Sequence, residues 1–197
     1  MFCWLMRQKV VALLAFRSFV IRARKHLGIH QPGFHSYFLA RHKDVNGKVI
    51  WEDFVHNIVH DEGEQFVLEV VFTEMQSPPF NYYIGLDARR APVGGVPSEA
   101  DNLGSLVNEP VGINGYARQD VRSDDTGFTV AQVAGEYQAL TKVVTFEATG
   151  GSWGPVATVF LTTTIAAGGK LICSAYLSAW RTLIDGETLE VSMYIQA

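Results

Sequence analysis

The chain has 197 residues, 48% of them hydrophobic and 18% charged. This leaves room for one domain with an appendage or two small ones, and the composition is too apolar for a disordered chain. The net charge of −4 hides a split: residues 1–43 hold 8 basic and no acidic residues, while 44–197 hold 8 basic against 20 acidic, a net −12. Such asymmetry marks a basic arm that meets something acidic, whether nucleic acid, a membrane surface, a neighbouring acidic body or the chain's own body.

From Met1 to Leu27 the sequence reads as a helix, without proline and with Gly28 as its stop. Arg22, Arg24, Lys25 and His26 cluster at its end, where the helix dipole favours them. The clean apolar run Val10–Phe16 is closed by Arg17 and is too short to span a bilayer. The charges lie within and after that run, which argues against a secretory signal, and no cleavage site follows. An Arg-rich, acid-free segment also fits an organelle transit peptide. The favoured reading is a docking arm over residues 1–35, ahead of a body over 36–197.

Gln31-Pro32-Gly33 breaks the helix. Ser36–Lys43 is β-like, Asp44-Val45-Asn46-Gly47 is a hairpin turn, and Lys48–Val55 returns with Val49, Trp51 and Val55 on one face. Asp61-Glu62-Gly63-Glu64 opens a short helix, with Asp61 as cap, Glu64 completing a capping box, and Phe66, Val67, Val70 and Val71 as the buried stripe. Phe80–Leu86 reads as a central strand, and Ser98, Glu99 and Asp101 open one helical turn reaching about Leu106. Beyond it the pattern predicts strands at Tyr116–Val121, Thr126–Val133, Lys142–Ala148, Val156–Thr163, Lys170–Leu177 and Thr188–Gln196. The turn signals between them include Gly150-Gly151, Gly168-Gly169 and Asp185-Gly186. The predicted class is mainly β: an antiparallel β-sandwich or jelly-roll-like body with one short helix, behind an N-terminal helical arm.

Motifs of chemistry are scarce. His26 and His30, and His56 and His60, are four apart, but Gly28 interrupts the first pair and a strand-to-helix boundary splits the second. Cys3 and Cys173 stand at opposite ends and read as free thiols rather than a bridge. Asp61, Glu62 and Glu64 are explained by helix capping and dipole compensation, and Asp124-Asp125 by a solvated turn rather than a calcium site. There is no phosphate loop and no nucleophile elbow. The expectation is a protein without catalytic residues, cofactor or metal. The aromatics Trp51, Phe80, Tyr82, Tyr83, Trp153, Tyr176 and Trp180 are read mainly as core and interface.

Several stretches, taken in order, carry a resemblance. They are Asn46-Gly47-Lys48-Val49-Ile50-Trp51-Glu52-Asp53, His60-Asp61-Glu62-Gly63-Glu64-Gln65, Asn81-Tyr82-Tyr83-Ile84-Gly85-Leu86, Gly115-Tyr116-Ala117-Arg118-Gln119 and Gly186-Glu187-Thr188-Leu189-Glu190-Val191-Ser192. Over residues 37–197 they resemble a group of tailed-bacteriophage and prophage virion structural proteins. The resemblance implies a β-rich virion component and brings no catalytic residues.

The expected role is a capsid decoration or cement protein. A tail or neck (head–tail connector) component is the alternative, and a carbohydrate- or receptor-binding β-sandwich a further one. An imported organelle protein is the fourth reading. Expected partners are the major capsid protein or other virion subunits, further copies of the chain, and nucleic acid through the basic arm, with no membrane span. The residues expected at interfaces are Arg17, Arg22, Arg24 and Lys25 in the arm, and Tyr82, Arg89 and Arg90 in the body.

Overall fold

A computed structural model describes residues 35–73, 75–89, 95, 97–133 and 136–196. The predicted arm, with Arg17, Arg22, Arg24 and Lys25, lies outside these residues, as do Cys3 and Arg90. The described chain is mainly β, with two antiparallel sheets and one short α-helix.

The first sheet begins with a hairpin of β1 (His35–Lys43) and β2 (Val49–His56). Its turn is set by Asp44, whose carboxylate accepts the N–H groups of Asn46 and Lys48 at 2.9 Å each, and by Gly47 at φ 77°. β1 also pairs along its whole length with β11 (Thr188–Gln196). The far side of β11 takes β8 (Val144–Glu147) near its start and β7 (Glu136–Thr141) near its end. β6 (Phe128–Val133) pairs with β7 and closes the order β2-β1-β11-β7-β6.

The second sheet runs β3-β10-β9-β4-β5, from β3 (Ile58–Val59), β10 (Leu171–Leu183), β9 (Trp153–Thr162), β4 (Asn81–Asp87) and β5 (Gln119–Arg122). The predicted Phe80–Leu86 strand is thus β4, interior between β9 and β5. β10 outruns its predicted end by six residues, and its pairing with β9 is irregular between Tyr176 and Arg181. There it leans on the first sheet: the Ser178 N–H meets the Asp53 carboxylate at 2.6 Å, and the Arg181 guanidinium lies 4.7 Å from the Trp51 ring centre.

One apolar cluster is drawn from both sheets. Phe38, Phe146, Leu189, Val191 and Met193 come from the first, and Ile84, Leu86, Val121, Val159, Ala175 and Leu177 from the second. Each large side chain so buried stabilises the fold by roughly 1.5–3 kcal/mol relative to exposure. Tyr116 sits in this cluster, stacked on Phe146 at 5.8 Å and edge-on to Trp153 at 5.5 Å.

The helix α1 (Asp61–Leu68) continues as a π-helical stretch, Glu69–Thr73. Its N-cap is His60, not Asp61, and the expected capping box is absent there. Gly63 explains the helix's close approach to β10, because a Cβ at that position would lie 2.3 Å from the Ile172 carbonyl oxygen. Phe66 is buried and Val70 packs on the core, as the stripe requires. Val71 is 60% exposed and Val67 36%, against the expectation that both are buried. The π-helical turns hold more residues than α-helical ones, so Val71, past Leu68, is rotated out of the α-helical register, whereas Val67 lies ahead of that stretch.

The turn predicted from Ser98 is a 3-10 turn, Leu103–Ser105, with its capping box formed by Asn102 and Ser105.

Candidate interaction surfaces

Three regions hold the side chains relevant to function. The first is a half-open cleft of about 770 Å³ lined by Glu62, Leu103, Leu106, Tyr116, Arg118 and Ile165, among others. The charged groups at its floor are already engaged. Arg118 makes a forked pair with Glu109 through Nε and Nη2, at 2.7–3.1 Å, and its Nη1 donates to the carbonyls of Thr164 and Ala166 at 3.0 Å. The two side chains are only 10% and 6% exposed.

The Tyr116 hydroxyl accepts the Leu86 N–H at 2.7 Å and donates to Glu109 at 2.8 Å. Burial, then the negative Glu109, pushes its pKa well above the usual phenol value. Glu62 accepts the N–H groups of Leu103 and Leu171 at 3.0 and 2.6 Å, so this helix acid ties the 3-10 turn to the start of β10. The cleft is therefore a corner whose charges are satisfied inside the chain.

His60 belongs to the same internal network. Its ring reaches the Ser98 carbonyl and the Ser174 hydroxyl, each at 2.9 Å, and burial lowers its pKa despite the raising effect of Ser98. His56 stacks edge-on against Tyr37 at 5.1 Å. No cluster of metal-ligating side chains occurs among the described residues. Cys173 is a free, buried thiol whose pKa burial pushes up to about 12. Asp124 accepts the Thr126 hydroxyl and N–H and pairs with Arg122, as a solvated turn predicts.

Tyr82 and Arg89 are the two expected interface residues that the described chain contains. Tyr82 is half-buried on β4 and meets the Phe128 ring edge-on at 6.0 Å, and its burial raises the phenol pKa. The Arg89 guanidinium pairs with Asp101 at 2.9 Å, both side chains being largely buried. Burial pushes the Asp101 carboxyl up, but the Ser98 N–H and Arg89 outweigh it and the net shift is downward. The structure does not bring Tyr82 and Arg89 into one site: Tyr82 faces the β5–β6 side, and Arg89 clamps the loop that carries Asp101.

The second region is the outward side of α1 and its π-helical continuation. Leu68, Val71, Phe72 and Met75 follow at three- and four-residue spacing and are 55%, 60%, 75% and 74% exposed. Phe80, a little further on, is also exposed, with the Arg122 guanidinium 4.5 Å from its ring centre. Apolar side chains so concentrated on one short segment differ from the scattered exposed residues common on any surface.

The third region is the β6–β7 hairpin. No described strand pairs with the outer side of β6. Thr129, Val130, Ala131 and Gln132 are all exposed, as is Tyr137 on β7. Residues 128–141 contain one charged residue, Glu136. At the opposite edge of the sheet β2 carries Glu52 and Asp53, and Asp53 is bonded to β10. The sequence reading missed both β7 and the exposed valines of α1. A usable signal was the run from Phe128 to Thr141, with Glu136 its one charge, inside an acidic body.

No helix among the described residues is long and apolar enough to cross a membrane. No curated protein matches the chain. A protein-family model described as "Podophage GP4 fiber I protein gp80" matches residues 59–194, which is well over half of the chain and includes α1, the cleft and the hairpin. The chain therefore belongs to this family of phage virion structural proteins, and its location is the virion.

Proposed function

We propose that the protein is a non-enzymatic structural subunit of the fibre region of a podophage particle, a β-sandwich that assembles edge to edge with further copies through β6 and β7. The observation that carries this is the neutral, outward-facing β6 edge. An edge strand can accept a further strand along its outer side, and monomeric proteins usually guard such edges with charge or proline. Here neither occurs between Phe128 and Val133. The body as a whole is acidic, so two copies repel over most of their surface, and the uncharged β6 is a stretch where they approach without that penalty. Main-chain pairing between copies then supplies affinity, and repetition within a particle multiplies weak contacts.

The family description names a fibre, which favours this position over the shell decoration and neck alternatives. The engaged charges of the cleft favour assembly over glycan capture.

The test is sedimentation velocity of the purified full chain beside its Val130→Lys variant. The reading predicts an oligomer that the lysine converts to monomer while the circular dichroism stays unchanged. An oligomeric state unaltered by the lysine contradicts it.

A further inference from the structure

The apolar side of α1 is flanked by acid. Residues 61–80 hold five acidic residues and no lysine, arginine or histidine. Within them Asp61 and Glu64 are exposed, while Glu69 takes the Gln65 amide at 2.6 Å. The surface thus pairs a row of bare Leu68, Val71, Phe72 and Met75 with a negative rim. Its complement is an apolar segment bearing positive charge.

The chain itself contains one. Residues 1–27 hold six basic residues and no acidic one, interleaved with the apolar run Val10–Phe16 and with Phe19, Val20 and Ile21. The point where this segment joins the body is close to the helix in the chain's own bonding. The Ser36 carbonyl accepts the Asn57 N–H at 3.1 Å, and the Ser36 hydroxyl donates to Asn57 at 2.6 Å. Asn57 is three residues ahead of the N-cap His60. The 34 residues that precede β1 reach up to about 110 Å when extended, many times the length of α1.

We infer that the exposed face of Leu68, Val71, Phe72 and Met75 is the docking site for residues 1–27 of this chain, with Arg17, Arg22, Arg24 and Lys25 set against the acids of α1. Burying the apolar side chains of both partners supplies the affinity, and the charges set orientation and make the contact salt-sensitive. In an assembly the donor of the segment is either the same copy or its neighbour, and in the second case the segment ties adjacent subunits together. The inference is independent of where in the particle the protein sits.

The experiment places a photoreactive benzophenone side chain at position 72 of the purified full chain and maps the cross-linked peptides by mass spectrometry, with equal amounts of isotope-labelled and unlabelled chain mixed. Phe72 is mostly exposed, so this replacement leaves the core intact. Cross-links into residues 1–27 are expected, and mixed-isotope products identify the donor as a second copy. Doubling the charge conflict with Glu64→Lys and Glu69→Lys lowers their yield several-fold, and charge reversal at Arg22→Glu and Arg24→Glu in that background restores it. Cross-links that fall elsewhere, or a yield indifferent to these charges, overturn the inference. Neither result bears on the β6 edge, which the Val130→Lys comparison tests separately.

Discussion

The corner around Tyr116 and the outer side of α1 lie at either end of one contrast. At the corner each charged group has its partner inside the chain: Arg118 with Glu109 and two carbonyls, Glu62 with two backbone N–H groups. On α1 large apolar side chains stand in solvent beside acids. Glu62 links the two: it sits on the helix and accepts the N–H groups of Leu103 and of Leu171 at the start of β10. A fold with a core this well satisfied has no internal need for Phe72 or Met75, so those residues point to contacts outside the described body.

The largest expected effect lies in the corner. Arg118→Ala leaves the nearly buried Glu109 carboxylate without its counter-charge and should cost about 3–5 kcal/mol in denaturant unfolding. Gly63→Val forces α1 away from the Ile172 backbone and should cost at least about 3 kcal/mol, read as a lower thermal midpoint and loosened exchange of the α1 amides. Tyr116→Phe keeps the ring stacking but strips the hydroxyl from the Leu86 N–H and Glu109, a loss of about 1–3 kcal/mol.

A smaller effect follows from His60, which burial holds below its ordinary value of 6.5. The unfolded chain takes up a proton near that value and the folded chain resists it. Stability is therefore complete above pH 6.5 and falls as the pH drops from there toward the folded-state pKa. The slope should be at most about 1.4 kcal/mol per pH unit. A His60→Asn variant should flatten that part of the stability–pH curve, and an unchanged slope would assign it to other groups.

The smallest effect is expected outside: Val71→Ser with Phe72→Ser should leave the unfolding free energy of the body within about 0.5 kcal/mol per site. The same pair should weaken incorporation into particles. If it instead destabilises the body as strongly as Tyr116→Phe does, the contrast between the two regions fails.

What was legible in the sequence follows the same divide. The β1–β2 turn was readable because Asp44 and Gly47 act within five residues of each other. β11 was readable from its regular pattern after Asp185-Gly186, and its bounds match the predicted Thr188–Gln196. β7 was missed because Glu136-Tyr137-Gln138-Ala139-Leu140-Thr141 mixes Tyr137 and Thr141 with weak β formers and shows no clean inside–outside alternation. The cap at His60 and the outward turn of Val71 depend on contacts with Ser98, Ser174 and Ile172, far away in sequence, and on a π-helical turn that no local pattern announced. The Arg89–Asp101 pair was invisible for the same reason, since nothing in a lone arginine names its partner. Membership in a virion structural family was legible from the ordered short motifs, while the finer expectation of a capsid decoration role had no residue to carry it.

The measurement that bears most directly on the central claim is electron cryomicroscopy of intact particles from the source phage, with mass spectrometry to establish that the chain is present. The expected result is that the two-sheet body fits density in the fibre region, with β6 of one copy alongside strand density of the next. Density confined to the capsid lattice would contradict the fibre assignment, and well-separated bodies within the fibre would contradict assembly through the β6 edge.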